Sequence, residues 1–467
     1  MREYRDAAGV ARGGAHYPGA LMPSRPRRSR LAQVIPFVLG AAIFAFACGS
    51  SSVARVQHAG HSLRWVLLFV LLALAVWAAL DPQRPMRLPV SVLATAAALS
   101  VVAFVSALWS VDPRLTFERA ATLGAMLVTA AALAQVYGVE DADRLLRGVV
   151  GGAAAVAIAG LLVLAVRHHD AVEASTRDLP ARYQGLGENP NTVPLLLAPC
   201  LALVVWLLVR ASSRRSRIAL AAVALLFDGS IIASGSRGSL IAGFTGIAVV
   251  LGLAPLRGRL RAVLVLATVV ALAASIGLAL TPKSQGAAWV PPPRTHTAPA
   301  PGSDPKPGYL NVEGVFPLDS DVGSILVDSS PSRRALFGLT GRGEAWRGAV
   351  DLGNERPIAG YGFGTEGVVF VDRWADFVGG LPENSYIGMY LQLGTVGLVT
   401  LLALIATLAY SCLHRRDRWQ SAGSLAALTA GVILAVVQSY LYSVGDVATL
   451  ALWTAAFVGS ARAEADV

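Results

Sequence analysis

A chain of 467 residues that is 55% hydrophobic and only 15% charged, with a mean hydropathy of +0.58, is too apolar for a water-soluble globule of its length. Lipid must be the solvent for most of it. The formal charge of +10 requires no nucleic-acid partner, because the basic residues cluster at the ends of apolar stretches, where membrane lipids with anionic headgroups meet them.

Residues 1–30, rich in Arg, Gly, Pro and Ala, read as a disordered basic tail. Near-spanning apolar stretches follow at Leu31–Cys48, Trp65–Leu80, Leu88–Trp109, Leu115–Val136, Val149–Val166 and Thr192–Val209. The series continues at Ile218–Ser234, Ser239–Ala254, Ala262–Leu280, Tyr386–Ser411, Leu425–Tyr442 and Ala448–Val458. The expected fold is therefore all-α: a polytopic bundle of about 12 transmembrane helices. Nine lie in residues 31–280 and three in 386–460, with a large extracytoplasmic loop at 281–385 and a short tail at 461–467. The first stretch follows basic residues as a signal peptide would, but no small-residue cleavage site precedes an extracellular domain, so it reads as a helix.

Orientation follows from the 39 Lys and Arg residues, since cytoplasmic flanks retain positive charge on insertion. With the N-terminus inside, cytoplasmic segments hold 22, the short outer loops 8 and the long loop 9. Both termini are expected in the cytoplasm and the long loop outside, in the cytoplasmic (inner) membrane. Cys48, Cys200 and Cys412 lie on or beside helices in no paired spacing, which argues against a disulfide framework or a thiolate metal site.

The long loop divides in two. Around Val290–Gly308 its prolines favour an extended spacer. From Pro331 onward Trp, Phe and Tyr mix with charged residues in a composition able to fold. Arg342 to Leu352 predicts a short amphipathic helix, and Gly360, Gly362 and Gly364 mark a tight, close-approach turn.

Three outer-face features stand apart from ordinary loop sequence. Arg237, in SRGS at Ser236–Ser239, sits at an interface where a lone arginine most often snorkels to lipid phosphate. GRGEAW at Gly341–Trp346, with Arg347 beside it, could equally be a solvated amphipathic surface. Glu383 opens ENSYIGMYLQLGTVG where the loop re-enters the membrane; an acidic group there can cap the helix or do chemistry. The pair His168–His169 is on an outer loop, where neighbouring histidines without other ligands are usually solvated.

In this order, ALWSVDPRLTFERA (Ala107–Ala120), RYQGLGENPNTV (Arg182–Val193), GSRGS and GRGEAWRGAVDLGNERPIAGYGFG resemble segments of the O-antigen ligase and O-antigen polymerase superfamily of bacterial membrane glycosyltransferases. In the ligases of that family a histidine precedes a polar residue, nine further positions and Gly-x-x-Gly. Here Asn384, Gly394 and Gly397 keep the spacing, but Glu383 occupies the histidine position and none of the seven histidines lies in the motif.

The resemblance implies a polyprenyl diphosphate-linked glycan as donor and a sugar hydroxyl, on a glycan or lipid, as acceptor, joined on the outer face without a nucleotide sugar. Guanidinium groups match phosphate oxygens in bidentate geometry, and Arg237 and Arg342 are the best candidates for the leaving diphosphate. Glu383 is the candidate base. Arg347, Trp346, Asn384, Arg182, Asn191 and Arg119 complete the expected substrate-binding set. No cofactor or metal is expected. Replacement of the ligase histidine favours a polysaccharide polymerase; a ligase-type transferase to a lipid or protein acceptor is the alternative. A flippase or transporter would instead show mid-membrane charge and internal repeats, whereas Asp228 is the lone such charge within the spans. A membrane anchor without chemistry would leave the ordered arginine motifs unexplained.

Overall fold

The computed structural model describes residues 30–81, 85–139, 141–173, 181–256, 258–280, 342–371, 382–415 and 417–462. The N-terminal tail, the Val290–Gly308 spacer and Gly341 lie outside the described residues, as do most of the C-terminal tail and residues 372–381.

The chain is helical almost throughout its described length. Its first half runs α1 (Arg30–Gly49), α2 (Ala54–Ala79), α3 (Val90–Val105), α4 (Pro113–Tyr137), α5 (Ala142–Val166) and the one-turn α6 (His168–Ala171). Two short antiparallel strands, β1 (Val172–Glu173) and β2 (Arg182–Tyr183), pair before α7 (Thr192–Arg210), α8 (Arg214–Ser234), α9 (Arg237–Leu253) and α10 (Gly258–Leu280). Beyond the long loop come α11 (Arg342–Glu355), α12 (Glu366–Val371), α13 (Ser385–Leu413), α14 (Arg418–Leu434) and α15 (Thr449–Ser460).

Eight of the described helices are long and apolar enough to cross a bilayer: α1 to α5, α7, α8 and α13. Helices α9 and α15 and the Ala262–Gly277 part of α10 are apolar but shorter. The protein is an integral membrane protein of all-α architecture. Each predicted apolar stretch falls on a helix, with one correction of extent. Leu425–Tyr442 is helical only to Leu434, and its remainder turns across the bundle end, where Tyr440 and Trp453 anchor it by bonds to the Gly431 and Leu441 carbonyls. A continuous buried core built on Phe46, Trp206, Phe227, Trp453 and Phe457 holds the bundle together.

Inter-element polar contacts gather at two ends. At one end, Ser51 bridges Gly187, Val111 donates to the Tyr361 carbonyl, and Ser385 donates to the Ala435 carbonyl. At the other, Arg210 pairs with Asp143 at 3.1 Å, the Trp206 indole donates to the Trp419 carbonyl, and Arg462 donates its amide to the Arg87 carbonyl.

The tenth predicted span is not a continuous helix. At Gly394 the backbone leaves helical space, with φ 62° and ψ −158°, and divides α13 into 385–393 and 395–413. A break strips partners from backbone groups that lipid cannot satisfy. The segment after α11 replaces them. Tyr361 and Gly362 donate to the carbonyls of Leu391 and Gln392 at 3.2 and 2.8 Å, while Thr395 and Val396 donate to the carbonyls of Pro357 and Ile358 at 2.8 and 3.4 Å. The predicted glycine turn makes this possible: Gly360, Gly362 and Gly364 all take positive φ, of 64°, 105° and 80°. The same segment is laced to the α3–α4 turn, with Trp109 donating to the Ala359 carbonyl and Phe363 to the Ser106 hydroxyl.

A second, smaller core stands apart from the bundle. Ala345, Ala349 and Leu352 of α11 pack with Tyr361, with Phe370 of α12 and with Leu391 of α13. The helix expected at Arg342–Leu352 thus forms and finds its apolar partner in the first half of α13.

A β-carbon on Gly394 would lie 2.3 Å from the Ile358 carbonyl, whereas one on Gly151 of α5 meets nothing within 4 Å. Gly394→Ala combines that clash with a positive-φ, extended-ψ backbone that only glycine adopts readily, costing about 1–3 kcal/mol. Thermal unfolding in detergent should therefore show a clear loss of stability for Gly394→Ala and little change, or a small gain, for Gly151→Ala.

Candidate active site

The α13 N-terminus is fastened to the turn that follows α14. The Asn384 side chain accepts from the amides of Tyr386 and Ile387 at 2.9 and 3.1 Å, so Asn384, and not Glu383, caps the helix. The Asn384 amide in turn donates to the Ser439 hydroxyl at 3.0 Å. The Ser385 hydroxyl donates to the Gln438 carbonyl and accepts from the Tyr440 amide.

One residue back, Glu383 has φ 48° and is the sole non-glycine residue of positive φ among the described residues. That conformation costs on the order of 1 kcal/mol and persists where its surroundings over-determine it. Those surroundings are α11. The Nε of Arg342 donates to Glu383 Oε2 at 2.6 Å, and its Nη2 donates to the same oxygen. The Trp346 indole, one helical turn on, donates to the Pro382 carbonyl at 2.8 Å. Both members of the ion pair are about three-quarters buried, with side-chain exposures of 22% and 27%.

Arg237, the first residue of α9, stands within electrostatic reach of Arg342. The neighbouring Gly238 packs against Val437 in the same post-α14 turn that holds Asn384. Two guanidinium groups and one carboxylate from three distant parts of the chain therefore share one end of the bundle. Close by, Arg182 donates through Nε to the Ser234 carbonyl at 2.7 Å and through Nη2 to Asn191 Oδ1 at 3.1 Å. That clamp shapes the turn from which Arg237 emerges. Arg347 is exposed on α11, and none of the contacts joining this group involves it. The Arg119 side chain passes over Gly364 and stands within electrostatic reach of Glu366. His168 and His169 stand edge to face on α6.

Sequence reasoning passed over Glu366. This side chain is 4% exposed, at the start of α12, and accepts three hydrogen bonds. Tyr442 OH and Gln392 Nε2 donate to its Oε2 at 2.7 and 3.0 Å, and Ser439 Oγ donates to its Oε1 at 3.0 Å. Burial pushes its pKa up to about 7, against the pull of those donors and of the nearby Arg119 charge. The available signal was an acidic residue directly after the glycine run in GYGFGTEGVVF. Its partners lie 26, 73 and 76 positions away, beyond the reach of any local pattern.

Residues 221–402, from within α8 to the second half of α13, match the family model described as O-antigen ligase. Over that region the chain is similar to the O-antigen ligase family. The match takes in Arg237, Arg342, Trp346, Glu366, Glu383 and Asn384. No curated protein matches the chain. The activity that the family carries is membrane glycosyl transfer of the O-antigen ligase or polymerase type.

The raised pKa of Glu366 has a thermodynamic consequence. A carboxyl at about 7 when folded and near 4.5 when unfolded favours the folded state fully below about pH 4.5. That contribution is lost as the pH rises towards 7, by an amount on the order of 3 kcal/mol. Glu366→Gln should remove this component, so the stability difference between pH 5 and 7.5, followed by thermal unfolding, should be smaller in the variant than in the wild type.

Proposed function

We propose that this protein is a polysaccharide polymerase of the cytoplasmic membrane. It transfers a glycan from a polyprenyl diphosphate-linked donor to a sugar hydroxyl on a second glycan, on the extracytoplasmic face. The observation that carries the reading is the grip of Arg342 on Glu383 beside Arg237, within the region matching the O-antigen ligase family. Arg210, Arg214, Arg215, Arg217 and Arg418 belong to the opposite end of the bundle, which supports a cytoplasmic assignment for that end and both termini.

In the proposed reaction Glu383 takes the proton of the acceptor hydroxyl as its oxygen bonds to the donor's anomeric carbon. The bond from that carbon to the phosphate oxygen breaks, and its electron pair leaves with the diphosphate. Arg237 and Arg342 hold the departing charge by charge-assisted hydrogen bonds. In the resting arrangement Glu383 and Arg342 occupy one another. An incoming diphosphate competes for the guanidinium, and its arrival sets the carboxylate free to act as a base. The pair thus keeps each group desolvated and placed until the donor is present.

The reading makes opposite predictions for binding and for chemistry. Glu383→Gln should abolish glycan transfer, a loss of about 10²–10⁴-fold, while donor or inorganic pyrophosphate binds more tightly because Arg342 no longer has a carboxylate partner. Arg342→Ala and Arg237→Ala should each cut transfer at least roughly tenfold, from loss of about 1.5–3 kcal/mol per charged contact. Arg→Lys should restore only part of it. Transfer at wild-type rate by Glu383→Gln, from a purified lipid-linked donor, would place the base elsewhere. A product in which the glycan sits on a lipid or protein acceptor would make the protein a ligase.

Orientation has its own test. A cysteine placed near Gly308 should be labelled by a membrane-impermeant reagent in intact cells. Labelling only after permeabilisation would overturn both the topology and the assignment.

A further inference from the structure

We propose that Glu366 is a positioning residue for Glu383: its buried carboxyl, acting through Ser439, fixes the backbone on which Glu383 stands. The inference rests on the reading of Glu383 as the base, and the connection is continuous. Ser439 Oγ donates to Glu366 Oε1 at 3.0 Å and accepts the Asn384 amide at 3.0 Å, and Asn384 is the residue that follows Glu383 and caps α13. The direction of the Gln392 bond is set from outside. Gln392 Oε1 accepts the Gly364 amide at 2.5 Å, so its Nε2 must face Glu366. The Ser439 oxygen accepts the Asn384 amide, and its hydroxyl donates to Glu366 Oε1 when that group is a carboxylate.

Glu366 therefore ties three elements to one point: α12, the first half of the broken α13, and the turn between α14 and α15. Space is sealed around it. A β-carbon on Gly388 would fall 2.5 Å from Glu366 Oε1 and closer still to the Tyr442 hydroxyl. With no access for a substrate, the carboxyl acts through its neighbours. The charged and titratable groups facing it are Arg119 of α4 and Tyr442 of the post-α14 turn. What it transmits is the position of a strained residue: Glu383 holds a left-handed backbone, and a freed Asn384 amide lets that segment relax.

The test uses the full-length protein in detergent or nanodiscs, with Ser439→Ala, Glu366→Gln and the double variant. Hydrogen exchange of the peptide 382–388 should accelerate on the order of tenfold in both single variants, since each removes or misdirects one hydrogen bond. The turnover number should fall roughly tenfold or more, with KM for the donor within about twofold, because placement of the base is lost and diphosphate binding is not. The double variant should be no worse than either single one, as expected of two links in one chain. A purely structural role would lower the folded fraction and leave turnover per folded molecule unchanged, with additive effects. Unaltered exchange at 382–388 in Ser439→Ala overturns the proposal, and so does faster exchange with full turnover. Ser439→Ala removes a single hydroxyl and decides the matter even where Glu366→Gln fails to fold. Transfer by Glu383→Gln is measured alongside and reports on the base itself, so failure of that assignment is distinguished from failure of the network.

Discussion

Everything at the Arg342–Glu383 end of the bundle depends on backbone hydrogen bonds made across the break in α13. A helix entering lipid cannot lose partners for its N–H and C=O groups without replacement. At Gly394 the replacement comes from another segment, Pro357–Gly362, which supplies two acceptors and two donors to the freed groups. The exchange works only because glycine stands on both sides of the contact. Gly394 bends α13, and a β-carbon on Gly360 would lie 2.4 Å from the Gln392 carbonyl. Once the segment is docked, α11 before it and α12 after it are both committed in position. Those two helices carry Arg342 and Glu366.

The electrostatics follow from that commitment. Arg342 and Glu383 are each mostly withdrawn from water, and such a pair is costly to assemble unless its geometry is good. Both guanidinium donors converge on one carboxylate oxygen, while Trp346 fixes the adjacent Pro382 carbonyl. A pair of this kind adds little net stability over an apolar replacement. It does hold a guanidinium and a carboxylate in register at one end of the bundle. Arg237, within electrostatic reach, adds a second positive charge to the same end of the bundle.

Much of this was legible in the residues themselves. The glycines at 360, 362 and 364 announced a close-approach turn, and each takes a positive φ. Arg342–Leu352 announced an amphipathic helix, which forms and runs on to Glu355. One local reading was displaced by a stronger local competitor. Asn384, whose amide oxygen can reach two backbone N–H groups, takes the cap that Glu383 might have held. Arg182 and Asn191 are brought together, and Arg182 also holds the Ser234 carbonyl.

Membrane residence and helix placement are properties of composition over about 20 residues, so the sequence by itself determined them: transfer free energies add along the chain whatever the neighbours do. The same holds for the glycine turn, since only glycine enters those backbone regions without steric cost. The tertiary structure alone decided which arginine meets which carboxylate, that α13 is broken and not continuous, and that Glu366 is sealed inside a ring of donors. Those outcomes rest on contacts between residues from 26 to 76 positions apart, and on the Trp109 bond to Ala359 across 250. No periodicity or motif encodes them, because the energy of each depends on desolvation and geometry that exist only after the elements have packed.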